Sequence, residues 1–261
     1  MQVAGSQHSK TRTTQLNKIG SIGWTIELKE NAMSLVDYGP LIASGTWMTL
    51  KLAMLSLLTA VLIGLAGASS KLSGNRWLRN VATLYTTLIR SVPDLVTMLL
   101  LFYSIQIVLN QVTEGLGIDQ IDIDPFLAGV ATLGFIYGAY FTETFRGAFQ
   151  AVPRGQTEAA MAYGLSPWQA FYRILFPQMM RFALPGIANN WQVMIKATAL
   201  VSIIGLSDIV RATQDAGKSS MQLFYFTVIG ALIYLFITTL SNGVLMWLKH
   251  HYSVGVREAQ L

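Results

Sequence analysis

Five long apolar segments separated by polar stretches dominate the pattern of this chain. A helix that crosses a bilayer needs about 20 mostly apolar residues at a rise of about 1.5 Å each. Each segment reaches that length or falls slightly short of it, and few charged side chains interrupt any of them. The pattern therefore predicts an all-α integral membrane protein with five transmembrane helices, at residues 41–70, 80–113, 125–142, 182–207 and 219–248.

The composition supports a membrane protein and excludes several other classes. Hydrophobic residues make up 52% of the 261 and charged residues only 12%, whereas soluble domains carry about 25% charged residues. The chain has no Cys, so neither a disulfide framework nor a Cys-based metal site can form. The three His residues have no zinc-like spacing, and no nucleophile stands with a matching base. We predict no metal site and no enzymatic site.

The charges of the connecting stretches predict the orientation in the membrane. Residues 71–79 contain three basic residues and no acid, and residues 143–181 contain four Arg. Residues 111–124 contain no Lys or Arg but four acids. Because basic loops stay in the cytoplasm, this alternation predicts a periplasmic N-terminus and a cytoplasmic C-terminus. The net charge of +5 then reflects orientation, and we expect no nucleic-acid partner.

These boundaries divide the chain into three parts. Residues 41–250 form the predicted transmembrane domain, with a cytoplasmic loop at 153–178. Residues 251–261 form a short cytoplasmic tail. Residues 1–40 are predicted to be an N-terminal periplasmic extension, whose first part is rich in Ser, Thr, Gln and Lys. That part fits a disordered tail or an interfacial helix, and the alternative of a start at Met33 stays open.

The cytoplasmic loop carries signals for a short helix. Pro153 should end the third span, because its ring cannot continue a helix interior. Thr157 suits the N-cap, and Glu158 in the first turn favours the positive end of the helix dipole. Gly164 supplies a left-handed stop. We therefore predict a short helix between Thr157 and Gly164.

A second short helix should follow directly. Ser166, Pro167 and Gln169 form a capping box with Pro at the first helical position, and Pro177 should end the helix. Exposed aromatic residues in such a loop indicate an interface, and here they are Tyr163, Trp168, Phe171 and Tyr172. The alternative is a surface helical hairpin that has no partner.

The spacing of this loop resembles the EAA loop in the permease subunits of ATP-binding-cassette (ABC) importers. The family pattern is Glu-Ala-Ala, three residues, Gly, nine residues, and Ile-x-Leu-Pro. The chain departs from it only at Phe176, where the family usually has Leu. Residues 89–94, 143–146 and 153–156 look like the polar amino acid branch. The similarity covers about residues 41–259 and is greatest to histidine and lysine/arginine/ornithine permeases, with opine permeases close behind.

The resemblance implies a type I ABC importer permease fold in the bacterial inner membrane. It implies that the first loop helix docks into a groove on a dimer of separate ATPase subunits, which bind ATP and Mg²⁺, so this chain holds no cofactor. It also implies a second permease subunit, forming a heterodimer, and a periplasmic substrate-binding protein. The implied coupling residues are Glu158, Ala159, Ala160 and Gly164.

Lys196, near the middle of the fourth span, is the first candidate for substrate binding. A charged group inside a membrane is a functional candidate by default, and its ammonium suits the carboxylate of an amino acid. The resemblance agrees, because related amino acid permeases have a Lys at this point of their substrate site. Asn190 is a further candidate, six residues earlier. The alternative is that Lys196 packs against a partner subunit.

Arg90 and Asp94 are the other two candidates. They are four residues apart, so on one helix they could pair directly. Pro93 between them should bend or unwind the helix and free carbonyl groups that could line a cavity. The alternative is a purely structural Arg90–Asp94 ion pair.

The sequence thus predicts a permease subunit of an ATP-driven importer of amino acids, with basic substrates favoured. An opine or another polar amino acid is the closest alternative. An ion-coupled secondary transporter would need inverted repeats or intramembrane acids. No repeat is visible, and Asp94 is the sole acid within the five predicted spans.

Overall fold

The computed structural model describes residues 4–253, and the side chains of residues 36–252. This part of the chain is helical and contains no strand. Nine α-helices follow one another, with a π-helical turn at Phe171–Leu175 and a 3₁₀ helix at Thr198–Ile204. Their bounds are α1 Ala4–Leu72, α2 Arg76–Ser91, α3 Asp94–Gly115, α4 Pro125–Ala151, α5 Arg154–Ala162, α6 Pro167–Ala170, α7 Phe176–Ala197, α8 Ile209–Ser219 and α9 Leu223–Ser253.

Four of these helices contain a stretch long and apolar enough to cross a membrane. The stretches are Val36–Leu72, Asp94–Gly115, Pro125–Ala151 and Leu223–Tyr252. A fifth candidate is the pair Pro167–Ile204 and Ile209–Ser219, which is bent by 56°. The predicted all-α fold is confirmed, and the five spans are present when the bent pair counts as one span.

The second predicted span, residues 80–113, is wrong as a single helix. The chain leaves the α-conformation at Val92, whose φ and ψ are −104° and 140°, and α3 begins at Asp94. Pro93 causes this break, because its ring lacks an N–H and forces the preceding residue towards an extended conformation. α2 and α3 are therefore separate helices with independent directions.

Two other predicted boundaries also shift. The last span was expected to begin at residue 219, but Ser219 belongs to α8 and α9 begins at Leu223. α1 passes without interruption through residue 40, so the helix of the first span begins before the predicted residue 41. A periplasmic extension over residues 1–40 stays a prediction. Of the predicted tail, residues 254–261 lie outside the described part.

α4 lies at the centre of the bundle and packs against α1, α2, α3 and α7. Its inward side chains include Leu133, Ile136 and Phe141, which are fully buried. α1 and α4 approach closely because glycines lie where they meet: a Cβ added at Gly64 would come 2.5 Å from Phe141 Cβ. Such close contact at small residues is the usual way that helices associate in lipid. α4 therefore fixes the position of every element it touches.

Candidate coupling and substrate sites

The first loop helix, α5, begins earlier than predicted. Its first residue is Arg154 and its N-cap is Pro153, so the prediction of Thr157 as N-cap is wrong. The backbone N–H of Gln156 already bonds to Pro153 O at 3.1 Å. Because Pro fixes φ near −65°, it prepares the helical conformation directly after α4 ends. Thr157 and Glu158 consequently lie within the helix.

The end of α5 follows the prediction. Gly164 has a φ of +82°, a left-handed value that L side chains rarely adopt. Its N–H bonds to Met161 O at 2.9 Å, and the N–H of Leu165 bonds to Ala160 O at 3.1 Å. These two bonds form a Schellman motif, which satisfies carbonyl groups at the helix end. A Cβ built on Gly164 would meet nothing within 4 Å, so only the backbone conformation constrains this residue.

The predicted coupling residues divide into two groups by exposure. Glu158, Ala159 and Gly164 are exposed. Ala160 is only 5% exposed and packs against the chain's own helices. Ala160 lies about 100° around the helix from Ala159, on the side that faces the rest of the chain. Its role in coupling stays a prediction.

The second loop helix starts as predicted and ends differently. Ser166 accepts a hydrogen bond from Gln169 N at 3.3 Å, while Gln169 Oε1 accepts one from Ser166 N at 2.9 Å, so the capping box is confirmed. Pro177 does not end the helix, because the chain continues through the π-helical turn into α7. The wider turn closes at Phe176, whose N–H bonds to Phe171 O. The missing N–H of Pro177 thus falls where the hydrogen-bond register changes.

Aromatic side chains cover the outer surface of this loop. Tyr163 is 89% exposed, Trp168 73% and Tyr172 65%. Phe171 is partly buried and stacks on Trp168, with 5.8 Å between the ring centroids. Large exposed aromatic side chains next to the exposed side of α5 are typical of a protein interface.

Lys196 lies in the last turn of α7, beside a cavity of about 310 Å³. The walls come from α7, the 3₁₀ helix, α8 and α9, and include Val210, Thr213, Gln214 and Tyr234. The Lys196 side chain is exposed, and within residues 36–252 no acidic oxygen lies within 4 Å of its ammonium. The cavity thus contains a cation that has no anionic partner in the described structure.

Asn190 is buried and does not line that cavity. Its Nδ2 donates a hydrogen bond of 3.0 Å to Thr144 Oγ1, which connects α7 to α4. This polar contact between helices explains why an amide is placed in the membrane part of the chain. The structure therefore assigns Asn190 to helix packing rather than to the Lys196 cavity.

Arg90 and Asp94 do not form the predicted ion pair. The break at Pro93 places them on different helices, so their four-residue spacing does not bring them together. Tyr137 donates a hydrogen bond of 2.9 Å to Asp94 Oδ2, while the Arg90 guanidinium carbon lies 5.3 Å from the centre of the Tyr140 ring. The two Tyr rings stack at 5.6 Å. Two aromatic side chains of α4 thus separate the charges.

Lys196 and Asp94 belong to different helices, α7 and α3, which both pack against α4. α4 and α7 run antiparallel, because Asn190 bonds to Thr144 while a Cβ on Gly129 would meet Val201. Lys196 is therefore level with the middle of α4, where Asp94 is bonded. No hydrogen bond or ion pair in the described part joins any two of the four predicted substrate residues.

Two acids that the structure removes wholly or partly from solvent were not singled out in the sequence. Glu143 lies one residue beyond the predicted third span, but α4 continues to Ala151 and encloses it. Asp208 is fully buried and caps α8 by accepting a bond of 2.9 Å from Arg211 N, while its Oδ2 has no hydrogen-bond partner. An Asp placed directly before a helix is an N-cap signal that could have identified this residue.

Comparisons with known proteins agree with this architecture. A family model described as "Binding-protein-dependent transport system inner membrane component" matches residues 47–254. The histidine/lysine/arginine/ornithine transport system permease protein HisQ of Salmonella typhimurium is 63% identical over 227 residues, covering 87% of this chain and all of the relative. HisQ of Escherichia coli K12 is 60% identical over the same coverage. The nopaline permease NocQ of Agrobacterium fabrum is 36% identical over 84% of this chain and 94% of its own length.

Solved structures show the same fold. An amino acid ABC transporter crystallised with histidines contains a chain that matches with a TM-score of 0.70 and 33% identity, covering 84% of this chain and 97% of that one. A chain of the methionine transporter MetNI matches with a TM-score of 0.59 and 17% identity, covering 79% of this chain and 95% of that one. Members of this family act with a substrate-binding protein and a separate ATPase that hydrolyses ATP. The chain therefore belongs to the family of inner membrane components of binding-protein-dependent transport systems, as a permease subunit of an ABC importer.

Proposed function

We propose that this chain is a permease subunit of an importer of basic amino acids, namely histidine, arginine, lysine and ornithine. The observation that carries the proposal is the 63% identity to a permease named for these four substrates, across that relative's whole length. The opine alternative has only the 36% identity of the nopaline and octopine permeases. The chain would form one half of the translocation path, and a second permease subunit would form the other half as a heterodimer.

Lys196 is proposed to contact the carboxylate of the substrate. Its ammonium lies beside a cavity and has no acidic partner within residues 36–252. A carboxylate entering this cavity would supply the missing counter-charge. The attraction is stronger in a low-dielectric cavity than in water, but the loss of hydration of both ions offsets much of it. The contact should therefore orient the substrate with a moderate net gain in affinity.

Asp94 is proposed to contact the cationic side chain of the substrate, independently of Lys196. Its carboxylate accepts one bond from Tyr137, which leaves further lone pairs for a ligand. The neighbouring Tyr140 ring supports the proposal, because the guanidinium of Arg90 already lies over it. Arg90 thus occupies a position that a basic side chain could take. Asn190 would support the path only indirectly, through its bond to Thr144.

The exposed side of α5 is proposed to dock on an ATPase dimer. Glu158, Ala159 and Gly164 are exposed there, beside the exposed aromatic rings of the same loop. The small Ala and Gly residues allow a partner to approach the backbone closely. ATP and Mg²⁺ would be bound by the ATPase, and this chain would need no cofactor. From the loop charges, α5 and the C-terminus are proposed to lie in the cytoplasm and the N-terminus in the periplasm.

Uptake in membrane vesicles tests this function. Vesicles that contain this permease, its sister permease, the ATPase and the binding protein should accumulate labelled arginine only when ATP is supplied inside. An ionophore that collapses ion gradients should leave the ATP-driven rate unchanged. Uptake that stops when the ion gradient is collapsed, but continues when ATP is left out, would identify an ion-coupled transporter instead. Parallel assays with nopaline and octopine separate the opine alternative.

A further inference from the structure

Four polar side chains form a buried cluster that joins three helices. We call it the Glu143 cluster, and it consists of Lys71, Thr86, Glu143 and Arg146. Lys71, in the last turn of α1, forms an ion pair with Glu143 Oε1 and donates a hydrogen bond of 2.6 Å to Thr86 Oγ1 of α2. The Lys71 side chain is 8% exposed and that of Glu143 20%. The Arg146 side chain is 35% exposed, so the Lys71–Glu143 pair is largely removed from solvent and Arg146 lies at the edge of the cluster.

Arg146 holds the second oxygen of the Glu143 carboxylate. Its Nε and Nη2 lie 2.9 Å and 2.8 Å from Glu143 Oε2, one turn further along α4. Its Nη1 donates to Gln150 Oε1 at 2.8 Å. Both oxygens of the carboxylate are thus occupied, and each faces a different cation. This arrangement fixes the orientation of Glu143 and, through it, the distance from α4 to α1.

Stability alone is a weak reason for such a cluster. A well-packed apolar pair would hold the same helices together at a similar or lower free energy, because burying two charges costs much of what their attraction returns. What the ion pair adds is a link of defined geometry, which fails when either charge is removed. The cluster is therefore better suited to positioning the helices than to general cohesion.

The Glu143 cluster lies close to α5, near the end of α4. Thr144, the residue after Glu143, accepts the hydrogen bond of Asn190, so a single turn of α4 is bonded to α1, α2 and α7. From Glu143 to the end of α4 at Ala151 the distance is about 12 Å along the axis. Val152 and Pro153 then lead directly into α5. α5 also contacts the π-helical turn, and Gln178 Nε2 of α7 donates a 3.4 Å hydrogen bond to Gln156 Oε1 of α5. A displacement of α5 therefore has two routes into the bundle, one into α7 and one along α4 to this turn.

We propose that Glu143 is a positioning residue for energy coupling, which passes the displacement of α5 to α1 and α2 through Lys71. The inference rests on the proposed function, since it requires α5 to be the ATPase contact. Loss of the link leaves the ATPase bound and hydrolysing ATP. Less substrate then crosses the membrane for each ATP consumed.

The ratio of arginine taken up to ATP hydrolysed measures this link in proteoliposomes that contain the complete complex and the binding protein. The variants are Lys71→Met, Glu143→Gln, their double variant, and the conservative Lys71→Arg. Asp215→Asn is the matched control, because Asp215 forms an exposed ion pair with Arg211 at 3.5 Å on α8. Each single variant leaves one charge of the Lys71–Glu143 pair without its partner, which could prevent folding. The double variant removes both charges of that pair, so it can test coupling where a single variant fails to fold.

We expect Lys71→Met and Glu143→Gln each to lower the ratio about fivefold or more, at the lower end of coupling between distant sites. The double variant should be no worse than either single one, because all three break the same link. Lys71→Arg and Asp215→Asn should retain the ratio. A double variant that assembles with an unchanged ratio would overturn the proposal. A double variant that fails to assemble would also overturn it, because the Lys71–Glu143 pair would then be needed only for folding. Failure of the proposed function shows elsewhere, as absence of ATP-driven arginine uptake by the unmodified complex.

Discussion

The hydroxyl of Tyr137, at the middle of α4, donates a 2.9 Å hydrogen bond to Asp94 at the first residue of α3. Tyr137 is 2% exposed, so the bond connects the centre of the bundle to the beginning of a neighbouring helix. The amides at the N-terminus of α3 favour a negative charge at this point. The side chain of Asp94 is therefore held in a fixed place, with oxygen lone pairs left for another donor.

Replacing Asp94 by Asn should separate basic from neutral substrates. The Asn side chain keeps an oxygen that can accept from Tyr137, but it loses the charge. We expect arginine uptake to fall about tenfold. This corresponds to the loss of one hydrogen bond to a charged group, which contributes about 1.5 kcal/mol. Histidine allows an internal comparison, because its imidazole is cationic below a pKa of about 6.5 and neutral above it.

The effect of Asp94→Asn on histidine uptake should consequently be large at about pH 5.5 and small at about pH 8. Initial uptake rates at the two pH values, each divided by the rate of the unmodified complex at the same pH, give the comparison. Equal losses at both values, and for arginine, would show that Asp94 serves structure alone.

Replacing Lys196 by Met should impair transport without affecting assembly. Met keeps the length and the apolar stem of the side chain and removes the charge. Because a substrate carboxylate would lose its partner, we expect at least about a tenfold drop in uptake, equivalent to about 1.4 kcal/mol. Copurification of the ATPase should be unchanged, since α5 is untouched.

Lys51→Met is the matched control for this variant. Lys51 is another exposed Lys of a membrane helix, and its ammonium lies 5.8 Å from the centre of the Phe126 ring, away from the Lys196 cavity. Uptake should stay within about twofold, as for substitutions on a surface. Normal uptake by Lys196→Met would remove Lys196 from the substrate path.

Local sequence signals predicted some helix ends and missed others, and they predicted the contacts between helices poorly. Gly164 and the Ser166 capping box are determined by neighbouring residues, and both occur as predicted. Pro93 was expected to bend or unwind the helix, and the chain does leave the α-conformation at Val92. The break separates α2 from α3, and the alternative of an Arg90–Asp94 ion pair is not observed. Pro177 failed as a stop because a π-helical turn, which no local pattern indicated, absorbs its missing N–H.

In the candidate site, too, the sequence identified individual residues better than the contacts between them. The sequence placed Lys196 near the middle of the fourth span, whereas it lies in the last turn of α7, and the cavity beside it requires three further helices. The partners of Asp94 and Glu143 are 43 and 72 residues away in the sequence. No single-sequence pattern specifies contacts of such separation, because they depend on how the helices pack. Composition and periodicity thus predicted which elements form, and tertiary packing decided which residues meet.

Single cysteines can test the proposed orientation, because the chain has no native Cys. Gly74→Cys lies between α1 and α2, where an added Cβ meets nothing within 4 Å, and Asp119→Cys lies in the exposed connection from α3 to α4. A membrane-impermeant maleimide should label Asp119→Cys in intact spheroplasts. It should label Gly74→Cys only after the membrane is permeabilised. Labelling in the opposite order would place α5 outside and exclude an ATPase contact there.

Replacing Gly164 by Leu should detach the ATPase. The residue has a φ of +82°, so a Leu there is strained and adds bulk where a partner would approach the backbone. A left-handed non-Gly residue costs about 1–2 kcal/mol, which the Schellman bonds of a short exposed helix cannot offset. We expect normal insertion in the membrane, but loss of ATPase copurification and of arginine uptake.

Two further variants distinguish the effect of backbone strain from the effect of a bulky side chain at the end of α5. Gly117→Leu introduces the same strain, at a φ of +69° with nothing within 4 Å, but in the connection between α3 and α4, far in sequence from α5. It should leave ATPase binding intact. Gly164→Asn should retain part of the binding, because Asn tolerates the left-handed conformation better than Leu does. If Gly164→Leu copurified the ATPase at full yield, the exposed side of α5 would not be the docking surface, and the exposed aromatic side chains from Tyr163 to Tyr172 would be the next surface to test.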